Sequence, residues 1–246
     1  MVVAACLGVA VGLTPLVYLG VRTAEAGAAR VAEELFTVRT AALAGRSVLL
    51  AAAVTAACLV IGVGLAYLVV RTELPGRQLF GVLAALPLAI PTYVAGFAWL
   101  AAVDGFEGFW ATALVLTLCS YPYVYLPVTA ALAGADPAQD EVSRALGRGA
   151  WRTFTGVTLR QLRPAMASGG LLVALYVFSD FGAVSLLRYD TFTRAVFTKF
   201  ELGFDHTGAL VLSTVLVALT AVLLFGESLA RSRARYARLG GTQRKA

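Results

Sequence analysis

The sequence predicts an all-α membrane protein with six transmembrane helices, and three observations carry that prediction. The 246 residues are 59% hydrophobic and only 14% charged, with a mean hydropathy of +0.81, a composition of chains solvated by lipid rather than by water. Charged residues divide the chain into apolar intervals, each long enough to cross a hydrocarbon core about 30 Å thick at about 1.5 Å per helical residue. The basic residues between them crowd onto alternate connections, the asymmetry expected of cytoplasmic loops.

Met1 to Val21 is apolar from its first residue and lacks a basic leading segment, so it reads as a first span and not as a secretory signal. Arg22 to Arg46 follows as a connection that holds a short amphipathic helix around the run ARVAEELF. Ser47 to Val70 is the second span and Gln78 to Val103 the third, joined by RTELPGR. After the brief DGFEGFW turn, Gly108 to Ala135 is the fourth. Pro164 to Leu187, interrupted only by Asp180, is the fifth; a loop from Arg188 to Asp205 leads to the sixth, His206 to Gly226. Continuous helix is expected throughout, because a backbone in lipid must satisfy its own hydrogen bonds. The organisation is thus one six-span domain over residues 1–230, followed by a flexible basic tail over 231–246 that meets anionic lipid. Pro87 and Pro91 in span three, and Pro122 and Pro127 in span four, each remove a helical hydrogen bond. They are expected to kink their helices and are hinge candidates, with a purely structural role as the alternative.

Orientation follows from the 18 arginines and two lysines. One side holds Arg71, Arg77, Arg144, Arg148, Arg152, Arg160, Arg163 and the tail cations Arg231, Arg233, Arg235, Arg238, Arg244 and Lys245. The other holds Arg22, Arg30, Arg39, Arg188, Arg194 and Lys199, nearly balanced there by acids. The first side is expected in the cytoplasm, with both termini. The net charge of +6 is therefore assigned to membrane topology and not to nucleic-acid binding.

The cytoplasmic segment between spans four and five, about residues 136–163, crowds five arginines together. Asp136-Pro137 is a helix start, with Asp as cap and Pro at the first helical position, and Gly147 or Gly149 can end that helix in a left-handed conformation. A second helix is expected from Ala150 toward Pro164, with Arg148, Arg152 and Arg160 on a polar stripe and Trp151, Phe154, Thr158 and Leu162 on a more apolar face. Two short helices meeting at a glycine form a compact knob. Its charges and aromatic shoulder suit a partner groove, while the plainer alternative lays Trp151 and Phe154 on the membrane interface as an aromatic belt.

Glu141-Val142-Ser143, then Gly147, Val157 and Leu159, resembles the E-A-A, three residues, G, nine residues, I-x-L-P signature of permease subunits of bacterial ABC importers. Val142 and Ser143 replace the two alanines, Val157 replaces Ile, and Arg160 stands where Pro is usual. RTELPGR at Arg71 to Arg77, LPLAIPTYVAGFAWL at Leu86 to Leu100 and SDFGAVSLLRYDTFTRAVFT at Ser179 to Thr198 resemble the ferric iron subgroup of that family. The resemblance implies a type I ABC importer permease (MetI-like) fold in the bacterial cytoplasmic membrane. It implies that the knob is a coupling helix seated in a cytoplasmic ATPase subunit, with Glu141, Arg144, Gly147, Arg148, Trp151 and Leu159 as its expected coupling residues. A second permease half and an extracytoplasmic solute-binding protein are the further implied partners. Ferric iron is the implied cargo, with thiamine, phosphonate or polyamine as alternatives.

Asp180 is the only charge inside an otherwise apolar span, and such a carboxylate is a pathway or pairing residue, or the cap of a helix broken at Gly182. Ser179 and Tyr93 join it as candidates for a polar pathway. Cys6, Cys58 and Cys119 lie in apolar runs far from the sole histidine, His206, so they are expected to be small buried hydrophobes and no metal site is expected. The sequence contains no G-x-x-x-x-G-K-[ST] phosphate loop, so ATP would be hydrolysed by a partner and no cofactor is expected on this chain. An intramembrane enzyme would need a nucleophile with a base, or a metal cluster, and neither H-E-x-x-H nor G-x-S-x-G occurs. A proton-coupled secondary transporter would use Asp180 but leave the knob without a purpose.

Overall fold

The computed structural model describes residues 2–135 and 138–239, which form thirteen α-helices. In chain order these are α1 (Val2–Glu25), α2 (Ala28–Leu35), α3 (Val38–Arg71), α4 (Arg77–Ala85), α5 (Thr92–Ala102), α6 (Gly108–Ser120), α7 (Pro122–Ala133), α8 (Ala138–Ala145), α9 (Ala150–Thr153), α10 (Leu159–Ser179), α11 (Gly182–Leu186), α12 (Phe192–Phe197) and α13 (His206–Leu239). Among the described residues, five stretches are long and apolar enough to cross a membrane: α1, α3, α6 with α7, α9 through α10, and α13. The pair α4 and α5 makes a sixth crossing if taken as one span.

The core is built on α3, α7 and α10. Leu50, Val54 and Cys58 recur every four residues and line one face of α3, meeting Val115 and Leu116 of α6, Val124 and Tyr125 of α7, and Val173 of α10, all buried. Glycine sets how closely these helices approach. A Cβ on Gly62 of α3 would lie 2.9 Å from the Tyr125 nitrogen and from Val124 Cβ, and one on Gly169 of α10 would lie 2.8 Å from the Tyr123 oxygen and Val124 Cα. Both helices thus press on α7 at Val124. Lipid supplies no hydrophobic drive between helices, so close backbone packing of this kind is what holds them together. By contrast, none of the described side chains of α1 is buried; it leans on α13 and is tied there by the Thr23–Thr214 hydroxyl pair at 2.9 Å.

Several expectations change. Span three is not one continuous helix: it is bent by 93° between α4 and α5, with Pro87 in a 3₁₀ turn, Leu86–Ala89, and Pro91 extended immediately before α5. Pro122 stands at the first position of α7, where its missing N–H costs nothing, and Pro127 lies within that helix. The helix beginning at Ala150 does not stop at Pro164. It passes through a π-helical turn, Phe154–Thr158, and runs on as α10 to Ser179. The connection from Arg188 to Asp205 is largely helical, through α12 and a π turn over Thr198–Leu202, supported by the Arg194–Asp190 pair one turn apart. The sixth helix continues to Leu239, so the first part of the expected flexible tail is helical. Cys6 is exposed, while Cys58 and Cys119 are buried. The expected start at Asp136-Pro137 and residues 240–246 lie outside the described residues.

The amphipathic helix expected around ARVAEELF is present as α2. Lys199 anchors it, donating to Glu34 at 2.7 Å and to Asp205 at 3.0 Å. Burial alone would lower the Lys199 ammonium, but its two carboxylate partners outweigh that and hold it above the ordinary lysine value. Asp205, which accepts from the Gly208 N–H and from Lys199, is held below the ordinary carboxylate value.

Candidate functional site

The knob between the fourth and fifth crossings is built by backbone chemistry. At the end of α8 the Arg148 N–H donates to the Ser143 carbonyl at 3.2 Å and the Gly147 N–H to the Arg144 carbonyl at 2.9 Å. Gly147 sits at φ +79. This is the Schellman arrangement, which needs a left-handed residue, and glycine enters that region without the clash a Cβ would bring. The chain then reverses through an extended Gly149 into α9. A hydroxyl pair, Ser143 and Thr153 at 3.1 Å and both buried, fastens α8 to α9 and contributes about 1 kcal/mol.

This elbow is locked to the crossings on one side and open on the other. Phe154 meets the edge of Tyr67 of α3 at 4.8 Å, Leu159 packs half-buried against the core, and Thr158 and Leu162 are buried. The outward side displays Glu141, Arg144, Gly147 and Arg148, all exposed. Leu146 and Trp151 project between them at 77% and 74% exposure. Beside them Val142, Leu146, Arg148 and Val157 line a cavity of about 420 Å³. The expected coupling residues therefore share one surface except Leu159, which faces inward. Arg148 belongs to the turn and not to a helical stripe, and the expected apolar face is split: Trp151 points out while Thr158 and Leu162 point in. Leu146 and the Ser143–Thr153 contact escaped the sequence reading, which met Val142 and Ser143 only as replacements for alanine in the signature. An aliphatic residue in a polar segment carries no signal of exposure, and a hydroxyl pair ten residues apart carries none of contact.

The pathway candidates are arranged differently. Asp180 is 8% exposed. One carboxylate oxygen accepts from Thr92 Oγ1 at 2.6 Å, and the other accepts from the N–H groups of Ala183 at 2.9 Å and Val184 at 3.4 Å. That is the geometry of a helix cap on α11 with an added cross-helix partner. Ser179 is exposed and its hydroxyl donates to the Tyr176 carbonyl of its own helix; Tyr93 is 57% exposed on α5. The structure thus brings Asp180 to Thr92, a residue the sequence reading did not single out, and leaves Ser179 and Tyr93 outside that contact.

A family model described as "Binding-protein-dependent transport system inner membrane component" matches residues 58–231. The chain is 40% identical over 219 residues to the Fe(3+)-transport system permease protein FbpB 2 of Haemophilus influenzae, an alignment covering 89% of this chain but 43% of that protein. It is 30% identical over 195 residues to the sulfate transport system permease protein CysT of Escherichia coli, covering 71% of this chain and 70% of that protein. Among solved structures, an inward-facing form of the MetNI methionine ABC transporter superposes with a TM-score of 0.64 at 16% identity, over 77% of this chain and 93% of that chain. This last likeness is one of fold.

Proposed function

Because the chain belongs to the family of inner-membrane components of binding-protein-dependent transport systems, we propose that it forms half of an importer's translocation pathway and is driven through its elbow by a separate ATPase. In this reading both termini and the elbow face the cytoplasm, a second permease half completes the pathway, and a solute-binding protein on the far side delivers the cargo. The observation that carries the reading is the elbow itself. It presents Leu146 and Trp151 to the outside, ringed by Glu141, Arg144 and Arg148, a mixture of apolar anchors and charges typical of energetic centres in protein interfaces. The elbow is also continuous with a crossing. From Leu159 to Ser179, α10 is unbroken and extends about 30 Å at 1.5 Å per residue, so a push on the elbow is delivered across the membrane by a stiff rod.

The cargo is proposed as ferric iron, supported by the likeness to an Fe(3+)-transport permease. In cells carrying the complete transporter, radioactive ferric iron should accumulate in competition with unlabelled ferric iron but not with sulfate, thiamine, phosphonate or polyamine. The ATPase subunit should co-purify with the detergent-solubilised chain, and Glu141→Arg or removal of residues 144–149 should release it while the membrane helices stay inserted. Retention of the ATPase by the shortened chain would remove the elbow from the mechanism. Accumulation of labelled sulfate in place of iron would replace the cargo and leave the class of transporter intact.

A further inference from the structure

Two helix breaks, the bend between α4 and α5 and the break between α10 and α11, meet. α5 begins at Thr92, after the extended residues Ile90 and Pro91; α11 begins at Gly182, after Asp180 leaves α10 in an extended conformation at ψ 128. The starts of these helices are in direct contact. A Cβ on Gly182 would lie 3.0 Å from Thr92 Oγ1 and 3.2 Å from Tyr93 Cβ, and further along a Cβ on Gly96 would lie 3.2 Å from Leu186 Cδ2. Glycine and leucine surfaces of this sort hold helices together without fixing how they slide, since dispersion has little directional preference. A hydrogen bond does have direction.

Asp180 supplies that direction to three segments at once. Its side chain joins Thr92 of α5 to the first turn of α11. Its own carbonyl accepts from Thr193 Oγ1 at 2.8 Å, which brings in α12. Thr92 and Asp180 are 6% and 8% exposed, so water offers neither a substitute partner, and the hydrogen bond between a hydroxyl and a carboxylate is among the strong ones. Asp180 also stands at the far end of α10, whose near end is the elbow.

We propose that the Asp180–Thr92 pair is a positioning joint that makes α5 and α11 move as one body, so that displacement arriving along α10 is passed to the bent third crossing. The joint stands on the geometry alone; the source of the displacement rests on the importer reading above. Asp180 acts here through Thr92 and the helices it binds, not as a ligand of the cargo.

The test is a double-mutant cycle with Thr92→Val and Asp180→Asn, read by thermal unfolding of the detergent-solubilised chain and by pulsed electron-spin distances between labels at Phe97 on α5 and Leu172 on α10, both exposed. Thr92→Val should raise the unfolding equilibrium constant about tenfold, the loss of one strong buried hydrogen bond, and the double variant should add little to the worse single one. Thr92→Ser, which keeps the hydroxyl, should match the parent. With the ATPase bound, the label distance should keep one narrow distribution with and without ATP in the parent and in Thr92→Ser, and should broaden in Thr92→Val and Asp180→Asn. Additive unfolding effects, damage by Thr92→Ser equal to that of Thr92→Val, or distributions equally narrow in folded Thr92→Val would each overturn the joint. Should the ATPase fail to bind the parent chain, the importer reading falls, while the unfolding cycle and the distances in the free chain still decide the joint.

Discussion

Replacing Trp151 by alanine is expected to weaken binding of the ATPase subunit about thirtyfold, from about 2 kcal/mol of lost interaction. The magnitude follows from exposure. The indole is 74% exposed in the isolated chain, so of the roughly 200 Å² that a tryptophan presents, about 150 Å² is available to a partner. At about 25 cal/mol per Å² its burial is worth about 4 kcal/mol gross. Immobilising the side chain and leaving part of its rim wet reduce that to the value expected of an interface anchor. Trp151 already leans on Phe154, with ring centroids 5.8 Å apart, so part of its ordering precedes binding. The assay is titration of the cognate ATPase against immobilised, detergent-solubilised chain, with Leu146→Ala as a second, smaller truncation on the same surface. If both variants bind within twofold of the parent while helical content is unchanged, the outward side of the elbow is not the docking surface. If Trp151→Ala instead lowers membrane insertion and leaves ATPase affinity alone, the indole serves as an interfacial anchor.

Gly169→Ala should destabilise the chain by about 2 kcal/mol or more, because its Cβ meets backbone atoms of α7 that cannot move aside. Gly170→Ala should leave the melting temperature nearly unchanged, since its Cβ meets only side-chain methyls at ordinary contact distances, the Thr55 methyl at 3.4 Å and the two Leu59 methyls at 3.8 Å; equal melting of the two variants would contradict the packing described. The Lys199 cluster predicts a pH dependence with a definite sign. Asp205 is held below its usual value of 3.8, so its contribution is present above that value and is lost as pH falls through the lower folded one. Lys199 is held above its usual 10.5, so its contribution is present below that value and is lost as pH rises through the higher folded one. Thermal unfolding of the parent should therefore weaken at both extremes, and Lys199→Met should lower the melting temperature at neutral pH and flatten both limbs.

The sequence exposed the crossings because lipid imposes one requirement on every residue of a span, and long apolar intervals such as Ser47 to Val70 answer it locally. The left-handed stop after α8 was half legible: a glycine after a short polar helix reports such a stop, but the sequence left Gly147 and Gly149 both open, and the main-chain bonds select Gly147. What escaped depended on partners distant in sequence. Pro87 and Pro91 announce that span three can bend, but the packing at the 93° bend involves Thr92 and Asp180, 88 residues apart, and Gly182 seated against Tyr93. Pro164 marked the boundary between the expected cytoplasmic helix and the fifth span, yet one helix carries through it; membrane helices tolerate proline where neighbours and local π or 3₁₀ adjustments satisfy the freed groups. The run from Arg188 to Asp205 looked like a loop because it is charged, whereas its charges pair with one another and across to α2.

The turn at Gly147 is closed entirely by main-chain bonds and by one residue without a side chain. Arg144, Leu146 and Arg148 therefore owe nothing to the turn they decorate. If the elbow docks the proposed ATPase, they are an interchangeable fitting on a fixed bracket, and their side chains can be exchanged to suit a different partner without redesigning the helix behind them.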